Sequence, residues 1–363
     1  MTTLFDPITI GNIALANRVA MAPLTRNRAI DGQKPGPLTV EYYRQRASAG
    51  LIISEASPIN PMAHGYIDTP GIYTAEQIAA WREVTDAVHE AGGRIVIQLW
   101  HVGRISHTSL LPGGAQPVSS TNRAAEAKTF NRDGLVPVSA PRALRDDELP
   151  GLVEDYRRAA RNAMAAGFDG VEIHAANNYL LEQFLRDSVN DREGPYGGSI
   201  ANRARLLLEV ATAIADEIGG GRTGIRLSPM TTVNGAPRDS DPQALYGYVV
   251  EHLAQLSLAY VHIIEGETGG VRYPADAKPF DYAALRRAFS GAWMVNNGYT
   301  RSEGQEVVGS GKADLVAFGR PFIANPDLVR RLHDNAPLNE VRADRLYGGG
   351  ADGYTDYPTL AAA

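Results

Sequence analysis

The sequence predicts an α/β protein: one (β/α)8 TIM barrel over residues 1–363, with an N-terminal β-hairpin lid and a long loop excursion after the third strand. Three observations carry this expectation. Strand-like apolar runs alternate with helical patterns almost from end to end, as in a parallel sheet with crossover helices. There are about eight such units, the number at which the sheet closes. Polar groups also crowd the end of one buried strand, in FDGVEIHAANNYL from Phe168, where His174, Asn177 and Tyr179 fall close together. Barrels of this kind carry their chemistry at the C-terminal ends of their strands.

The elements follow in order. Residues 4–17 hold Thr9 and Ile10, a Gly11–Asn12 turn and Ile13 to Leu15, a small hairpin suited to covering the bottom of a barrel. Residues 19–22 form the first barrel strand, ended by Pro23 and a polar loop. A helix is expected over 40–49, stopped by Gly50, and a second strand over 51–54. Trp81, Val84 and Val88 share one face of the next helix, which Gly92 and Gly93 close. The third strand is 94–99. A Gly/Pro/Ser-rich excursion over 102–141 follows, and so long a loop in a compact domain is usually functional. The helix at 146–166 places Leu152, Val153, Tyr156, Ala160, Ala163 and Met164 at helical spacing. The organising strand, Val171 to Ile173, leads into His174. A helix near 200–218 precedes a strand at 224–227, and Pro242 is placed to open the next helix. Residues 259–263, 292–295 and 315–318 supply the last three strands. No low-complexity linker divides the chain.

Composition narrows the function. The chain is 44% hydrophobic and 21% charged, with a formal net charge of −6 and no basic run. Nucleic acid and anionic membranes are therefore not expected partners. No apolar run approaches the ~18 residues of a membrane span. The N-terminus lacks the basic and apolar regions of a signal peptide, so a cytoplasmic location is expected. The absence of cysteine removes disulfides, thiolate metal sites, iron–sulfur clusters and a cysteine nucleophile together.

The strand ends collect a specific set of side chains. Pro23, Leu24 and Thr25 follow the first strand, Ala56 the second, and Gln98, Trp100 and His101 the third. His174, Asn177 and Tyr179 follow the fourth, and Arg226 sits on the fifth. Asn296, Asn297 and Gly298, then Phe318, Gly319 and Arg320, end the seventh and eighth. The last two groups fall where such barrels commonly hold phosphate on backbone N–H groups, with Arg320 able to add a bidentate contact. A phosphate-bearing cofactor or substrate is expected.

With these residues in place, the chain resembles the old yellow enzyme family of FMN-dependent ene-reductases, in particular its bacterial branch acting on nitrate esters, maleimides and other activated alkenes. The matching stretches are MAPLTRNRA from Met21, EASPINPMAHGYIDTPGIYT from Glu55, IQLWHVGRISH from Ile97 and GVEIHAANNYLLEQFLRDSVNDREGPYGGSIANRARLLLEV from Gly170. GIRLSP from Gly224, LVAFGRPFIANPDL from Leu315 and YGGGADGYTDYPTL from Tyr347 complete the set. They are collinear and span nearly the whole chain. The larger relatives with an iron–sulfur cluster need cysteines that this chain lacks. Thr25 places it apart from the branch with Cys at that position. Asn178 stands where the family usually has Gly, a departure that bears on the backbone before Tyr179 and on the width of the pocket.

The resemblance implies tightly bound, non-covalent FMN with NADPH or NADH as reductant. Pro23, Leu24, Thr25, Ala56 and Gln98 would line the flavin ring, and Arg226 would sit near its N1 and C2 carbonyl, where reduction places negative charge. Asn297, Gly298, Phe318, Gly319 and Arg320 would hold the phosphate end. His174 and Asn177 would donate to a carbonyl or nitro oxygen of an activated alkene or nitro compound, and Tyr179 would supply a proton. Tyr66, Trp100 and Tyr347 are the expected pocket walls. The expected assembly is a monomer or weak homo-oligomer.

The residues alone leave other readings open. His174 by itself reads as a satisfied core histidine, Tyr179 as a helix core residue, and Trp100 as packing. Arg226 has Glu172 or Glu55 as a possible buried ion-pair partner. Glu55 and Glu172 would also serve as acid and nucleophile of a barrel glycoside hydrolase, about 5–5.5 Å apart for a retaining mechanism. A phosphate-binding aldolase or isomerase without redox chemistry is a further alternative, although no strand ends in the lysine a Schiff base needs. His101 and His174 with either glutamate lack the spacing of a zinc motif, and no metal is expected.

Overall fold

The computed structural model describes residues 2–276 and 278–361. It opens on the expected hairpin, β1 (Ile8–Ile10) and β2 (Ile13–Leu15), turned by Gly11 at φ +51°. Then come β3 (Val19–Met21), α1 (Pro37–Arg44), β4 (Leu51–Pro58), α2 (Ala75–Glu90) and β5 (Ile95–Trp100). The excursion holds β6 (Val118–Ser119), β7 (Lys128–Asn131), β8 (Gly134–Pro137) and β9 (Arg142–Ala143). The chain continues through α3 (Leu149–Ala165), β10 (Gly170–Ala175), α4 (Leu180–Leu185), α5 (Ile200–Ile218), β11 (Thr223–Leu227), α6 (Pro242–Leu253) and β12 (Tyr260–Ile264). It ends with α7 (Tyr282–Ala288), β13 (Ala292–Asn296), α8 (Arg301–Gly309), β14 (Leu315–Phe318), α9 (Arg320–Ala324) and α10 (Leu328–Asp334).

Eight strands close into a parallel barrel in the order β3, β4, β5, β10, β11, β12, β13, β14 and back to β3. The strands are buried on both faces, inward against the barrel interior and outward against the helices, which is why they read as apolar runs. Ile10, Ile13 and Leu15 of the hairpin join Leu51, Ile53, Val96, Tyr260, Met294 and Leu315 in one apolar cluster, so the hairpin seals the N-terminal mouth. Gly224 has no side chain because the Tyr260 ring occupies its place; a Cβ there would lie 2.2 Å from the ring.

The helix boundaries follow their caps. Thr74 and Gln77 form a reciprocal capping box at the start of α2, and Asp241 caps α6 with Pro242 in its first turn. Three expectations need correction. The first helix runs over Pro37–Arg44 instead of 40–49, because Pro37 presets its first turn and residues 45–49 are turns and bends. The fourth barrel strand extends through His174 and Ala175, so His174 lies on the strand itself. The excursion is a folded flap: β7 and β8 pair antiparallel, and Phe130 bridges to Tyr66 in the loop after β4.

Candidate active site

Strand alternation decides what faces the barrel interior. Two residues along from the apolar layer, β5, β10, β11, β12 and β13 present Gln98, Glu172, Arg226, His262 and Asn296. Glu172 accepts N–H bonds from Gln98 Nε2 at 2.7 Å and from His262 Nδ1 at 2.9 Å. Arg226 is only 6% exposed; its Nη2 donates to Asn296 Oδ1 at 2.9 Å, and its Nε is buried without a partner. Burial pulls its pKa down to about 10, with Glu172 acting against that, so it stays a cation at neutral pH. Its partner is thus Asn296, and neither glutamate pairs with it directly.

Above this layer stand the donors. His174 Nδ1 accepts the N–H of Ala176 at 3.3 Å, which fixes the neutral ring with its proton on Nε2. Burial, then Arg226 and His262, hold its pKa well below the usual histidine range. Asn177 and Asn178 both take left-handed backbone, at φ +58° and +60°. Ser228 Oγ receives the Asn177 N–H at 2.8 Å, and buried Glu182 receives that of Asn178. Thr268 Oγ1 donates to Asn177 Oδ1 at 2.7 Å, leaving the amide NH2 as the group Asn177 can offer a ligand. Asn is among the residues that tolerate this conformation, so Asn178 keeps the turn a glycine would make. Its side chain reaches the carbonyl of Asn234.

Tyr179 is the residue before α4 and is not a core residue of that helix; its hydroxyl lies 3.2 Å from that of Tyr66. Its ring meets Trp100 and His174 edge-on, both at 4.9 Å, while Trp100 lies nearly parallel to Tyr66 and to His174. Burial raises the phenol's pKa, so it remains protonated. A cavity of about 520 Å³ joins Pro23, Leu24, Thr25, Tyr66, Tyr179, Arg320 and Tyr347. Phe130 and Leu135 of the flap also line it, which no periodicity signals in so short a hairpin. Tyr347 is 64% exposed at its rim.

The remaining residues sit around the same mouth in different ways. Ala56 is buried on β4 in register with Gln98. Gly298, at φ +70°, has open space where a side chain would be. Gly319 precedes the short α9, and Arg320 reaches the carbonyl of Gly269 at 3.4 Å. Asn297 turns its amide NH2 to the carbonyls of Glu265 and Glu267, so its side-chain donors are already engaged. Phe318 packs its ring in the outer core, near Leu4 and Gly304. His262 and Thr268 escaped the sequence reading; the signal for His262 was its inward position two residues after Tyr260.

Two carboxylates cannot act here as a glycosidase pair. Glu55 lies in a bulge of β4 beside Tyr43 of α1 and Arg26 of the loop after β3, whereas Glu172 is locked inside the barrel by two N–H donors. His101 is buried, with Nδ1 on the Gly103 N–H and its pKa pulled down to about 3.

The donor set fits FMN. A buried guanidinium with an unpartnered Nε and no carboxylate pair suits an electron-rich ring edge, Gln98 offers an amide beside it, and Gly298 leaves backbone open to an anion.

Comparisons with known proteins give the family. The profile of the NADH:flavin oxidoreductase / NADH oxidase family matches residues 3–339. The chain is 47% identical over 364 residues to 12-oxophytodienoate reductase 1 of Oryza sativa subsp. japonica, covering 98% of this chain and 93% of that one. It is 44% identical over 361 residues to 12-oxophytodienoate reductase 2 of Arabidopsis thaliana, covering 98% and 96%. Morphinone reductase in complex with tetrahydroNAD superposes with a TM-score of 0.93 at 48% identity, covering 99% of this chain and 98% of that chain. The old yellow enzyme homologue of Zymomonas mobilis superposes with a TM-score of 0.94 at 43% identity, covering 99% and 100%. The chain belongs to this family, that of the old yellow enzymes, and is an FMN-dependent NAD(P)H oxidoreductase.

Proposed function

We propose that the protein is an ene-reductase: with NADPH or NADH as reductant it reduces the C=C bond of alkenes conjugated to a carbonyl, imide or nitro group, with nitrate esters and nitroaromatics as further substrates. The whole chain acts as one FMN-binding barrel. The observation that carries the reading is the convergence of three oriented donors, His174 Nε2–H, the Asn177 NH2 and the Tyr179 hydroxyl, near a buried guanidinium held by an amide and not by a carboxylate. FMN held in this mouth would supply the hydride chemistry that links the nicotinamide to the β-carbon of the alkene.

The chain's own residues do the rest. His174 and Asn177 donate to the substrate oxygen and draw electron density from the β-carbon. Their donors are fixed beforehand by Ala176, Ser228 and Thr268, so little reorganisation accompanies the reaction. Tyr179 gives its proton to the α-carbon, balancing the hydride. Trp100 and Tyr66 present parallel rings as a wall for a flat substrate. Arg226 holds a positive charge near the place where reduction puts a negative one, and Gln98 and Thr25 bind the pyrimidine side. Gly298, Gly319 and Arg320 hold the phosphate, with the backbone of Asn297 and Phe318 beside them.

The test separates the two half-reactions. The enzyme is reduced anaerobically with NADPH, then mixed with 2-cyclohexenone, N-ethylmaleimide or a nitrate ester while flavin absorbance is followed. Tyr179→Phe is expected to keep flavin reduction and to slow alkene turnover by roughly 10²–10⁴-fold, the range of general acid catalysis. Equal losses in both halves would remove Tyr179 as the acid. His174→Ala is expected to weaken phenolic ligands; unchanged affinity would count against the donor role.

A further inference from the structure

Glu172 is fully buried inside the barrel, and nothing in the reaction described so far uses it. Both its oxygens accept N–H bonds, one from Gln98 and one from His262, the arrangement an ionised carboxylate takes. His262 does not cancel that charge. Burial comes first among the causes that lower its pKa, with Arg226 adding to it against Glu172, so the ring is neutral and donates from Nδ1. Its Nε2 is buried without a partner. Arg226 is in register with His262 on the neighbouring strand, feels the field of Glu172, and forms no ion pair with it. The barrel interior therefore holds one fixed cation and one fixed anion side by side beneath the mouth, joined to the site through the Gln98 amide.

We propose that Glu172 is a positioning residue that sets the reduction potential of the flavin. It acts by charge, opposing Arg226, and by orientation, holding the Gln98 amide with Nε2 toward the interior and Oε1 left for the ligand. Reduction brings two electrons and one proton to the ring, from the nicotinamide in turnover or from dithionite in a titration, and leaves one negative charge near its pyrimidine edge. Arg226 favours that state and Glu172 disfavours it. A site with the cation alone would trap the electrons; the anion keeps the flavin able to pass them on to an alkene. This rests on the reading that the ring lies at Arg226 and Gln98.

The experiment is an anaerobic redox titration of the FMN-loaded Glu172→Gln variant, an isosteric change that removes the charge. The equilibrium is expected to move at least tenfold toward reduced flavin, which for a two-electron couple is a rise of about 30 mV. Flavin reduction by NADPH then speeds up while alkene reduction slows, a split that a packing defect would not give. A smaller rise, no shift or a fall would overturn the proposal. If the variant binds flavin weakly, the ratio of Kd for oxidised and reduced FMN gives the same quantity. If Glu172→Gln folds poorly because Arg226 is left uncompensated, Arg226→Gln is compared with the double variant carrying both changes. A tenfold higher ratio of reduced to oxidised flavin in the double variant supports the proposal, and equal ratios overturn it. Arg226→Gln also separates the two levels of the reading. If its potential matches the wild type, the ring does not lie at Arg226; if it falls while Glu172→Gln does nothing, the role of Glu172 alone is lost.

Discussion

At its N-terminal mouth the barrel points Leu51, Ile53, Val96, Tyr260 and Met294 inward and covers them with the hairpin. Two residues further along, the same strands that supply Val96, Tyr260 and Met294 point Gln98, His262 and Asn296 into the same interior. The backbone is equivalent in both layers, and what differs is only the residue type at each inward step. The lower layer removes apolar surface from water at roughly 25 cal/mol per Å². The upper layer buries polar groups that cost stability unless paired, and its one fixed cation is left with a free donor. Stability and chemistry are thus stacked along one axis, and substitutions in the two layers should have opposite signatures.

The largest effect is expected below. Ile53→Ala leaves a cavity in the sealed layer and should cost about 2–5 kcal/mol, read as a lower urea midpoint with an unchanged slope. The folded fraction should keep its turnover. Lost activity at full folding would show that the two layers are coupled after all.

Arg226→Leu tests the other layer. Removing the guanidinium relieves its own desolvation but takes the facing cation from Glu172, which keeps its two N–H donors, so the apoprotein should lose less stability than Ile53→Ala does. Flavin reduction should fall by roughly 10²–10³-fold, the scale of losing one fixed electrostatic stabiliser. Thermal unfolding and stopped-flow absorbance measure the two effects. A destabilised protein that reduces flavin normally would invert the comparison.

A third contrast lies between two of the buried glutamates, Glu172 and Glu55. Glu172 has two N–H donors, whereas among the described residues the carboxylate of Glu55 has only the Arg26 N–H at 3.4 Å, and burial pushes its pKa up to about 7. The folded chain therefore binds this proton more readily than the unfolded chain, whose glutamate titrates near 4.3. The stabilisation is complete below that value, is lost as pH rises toward 7, and is constant above. The full span is on the order of 3 kcal/mol. Glu55→Gln should flatten this part of the stability profile and raise stability at pH 8. A profile that keeps its slope in the variant would assign the effect to another group.

What could be read in the sequence was local. Strand alternation and the six-position cluster of His174, Asn177 and Tyr179 placed the barrel and its mouth, because each signal lies within one strand and its following turn. The partners that orient those groups are remote in the chain. His262 is 90 residues from Glu172, Thr268 is 91 from Asn177, and Tyr66 is 113 from Tyr179. No periodicity links such pairs; only closure of the sheet does. The flap hairpin was hidden for a different reason, since its strands are four residues each and sit among Gly and Pro.

The smallest effect concerns one of those remote partners. Thr268 belongs to the loop after β12, which Thr231 holds through the Thr268 N–H at 3.1 Å and which Asn297 holds through the carbonyls of Glu265 and Glu267. From this loop its hydroxyl donates to Asn177 Oδ1 and so decides which end of the amide meets the substrate. Thr268→Val keeps the shape and removes the donor. The loss should be that of one hydrogen bond, about 0.5–1.5 kcal/mol, or roughly 2–13-fold in the rate of flavin reoxidation by 2-cyclohexenone. Thr268→Ser restores the hydroxyl and should restore the rate, whereas a loop that had merely lost packing would not be rescued by the smaller residue. Wild-type rates in both the Val and the Ser variant would mean that Asn177 is oriented by its backbone alone, through Ser228.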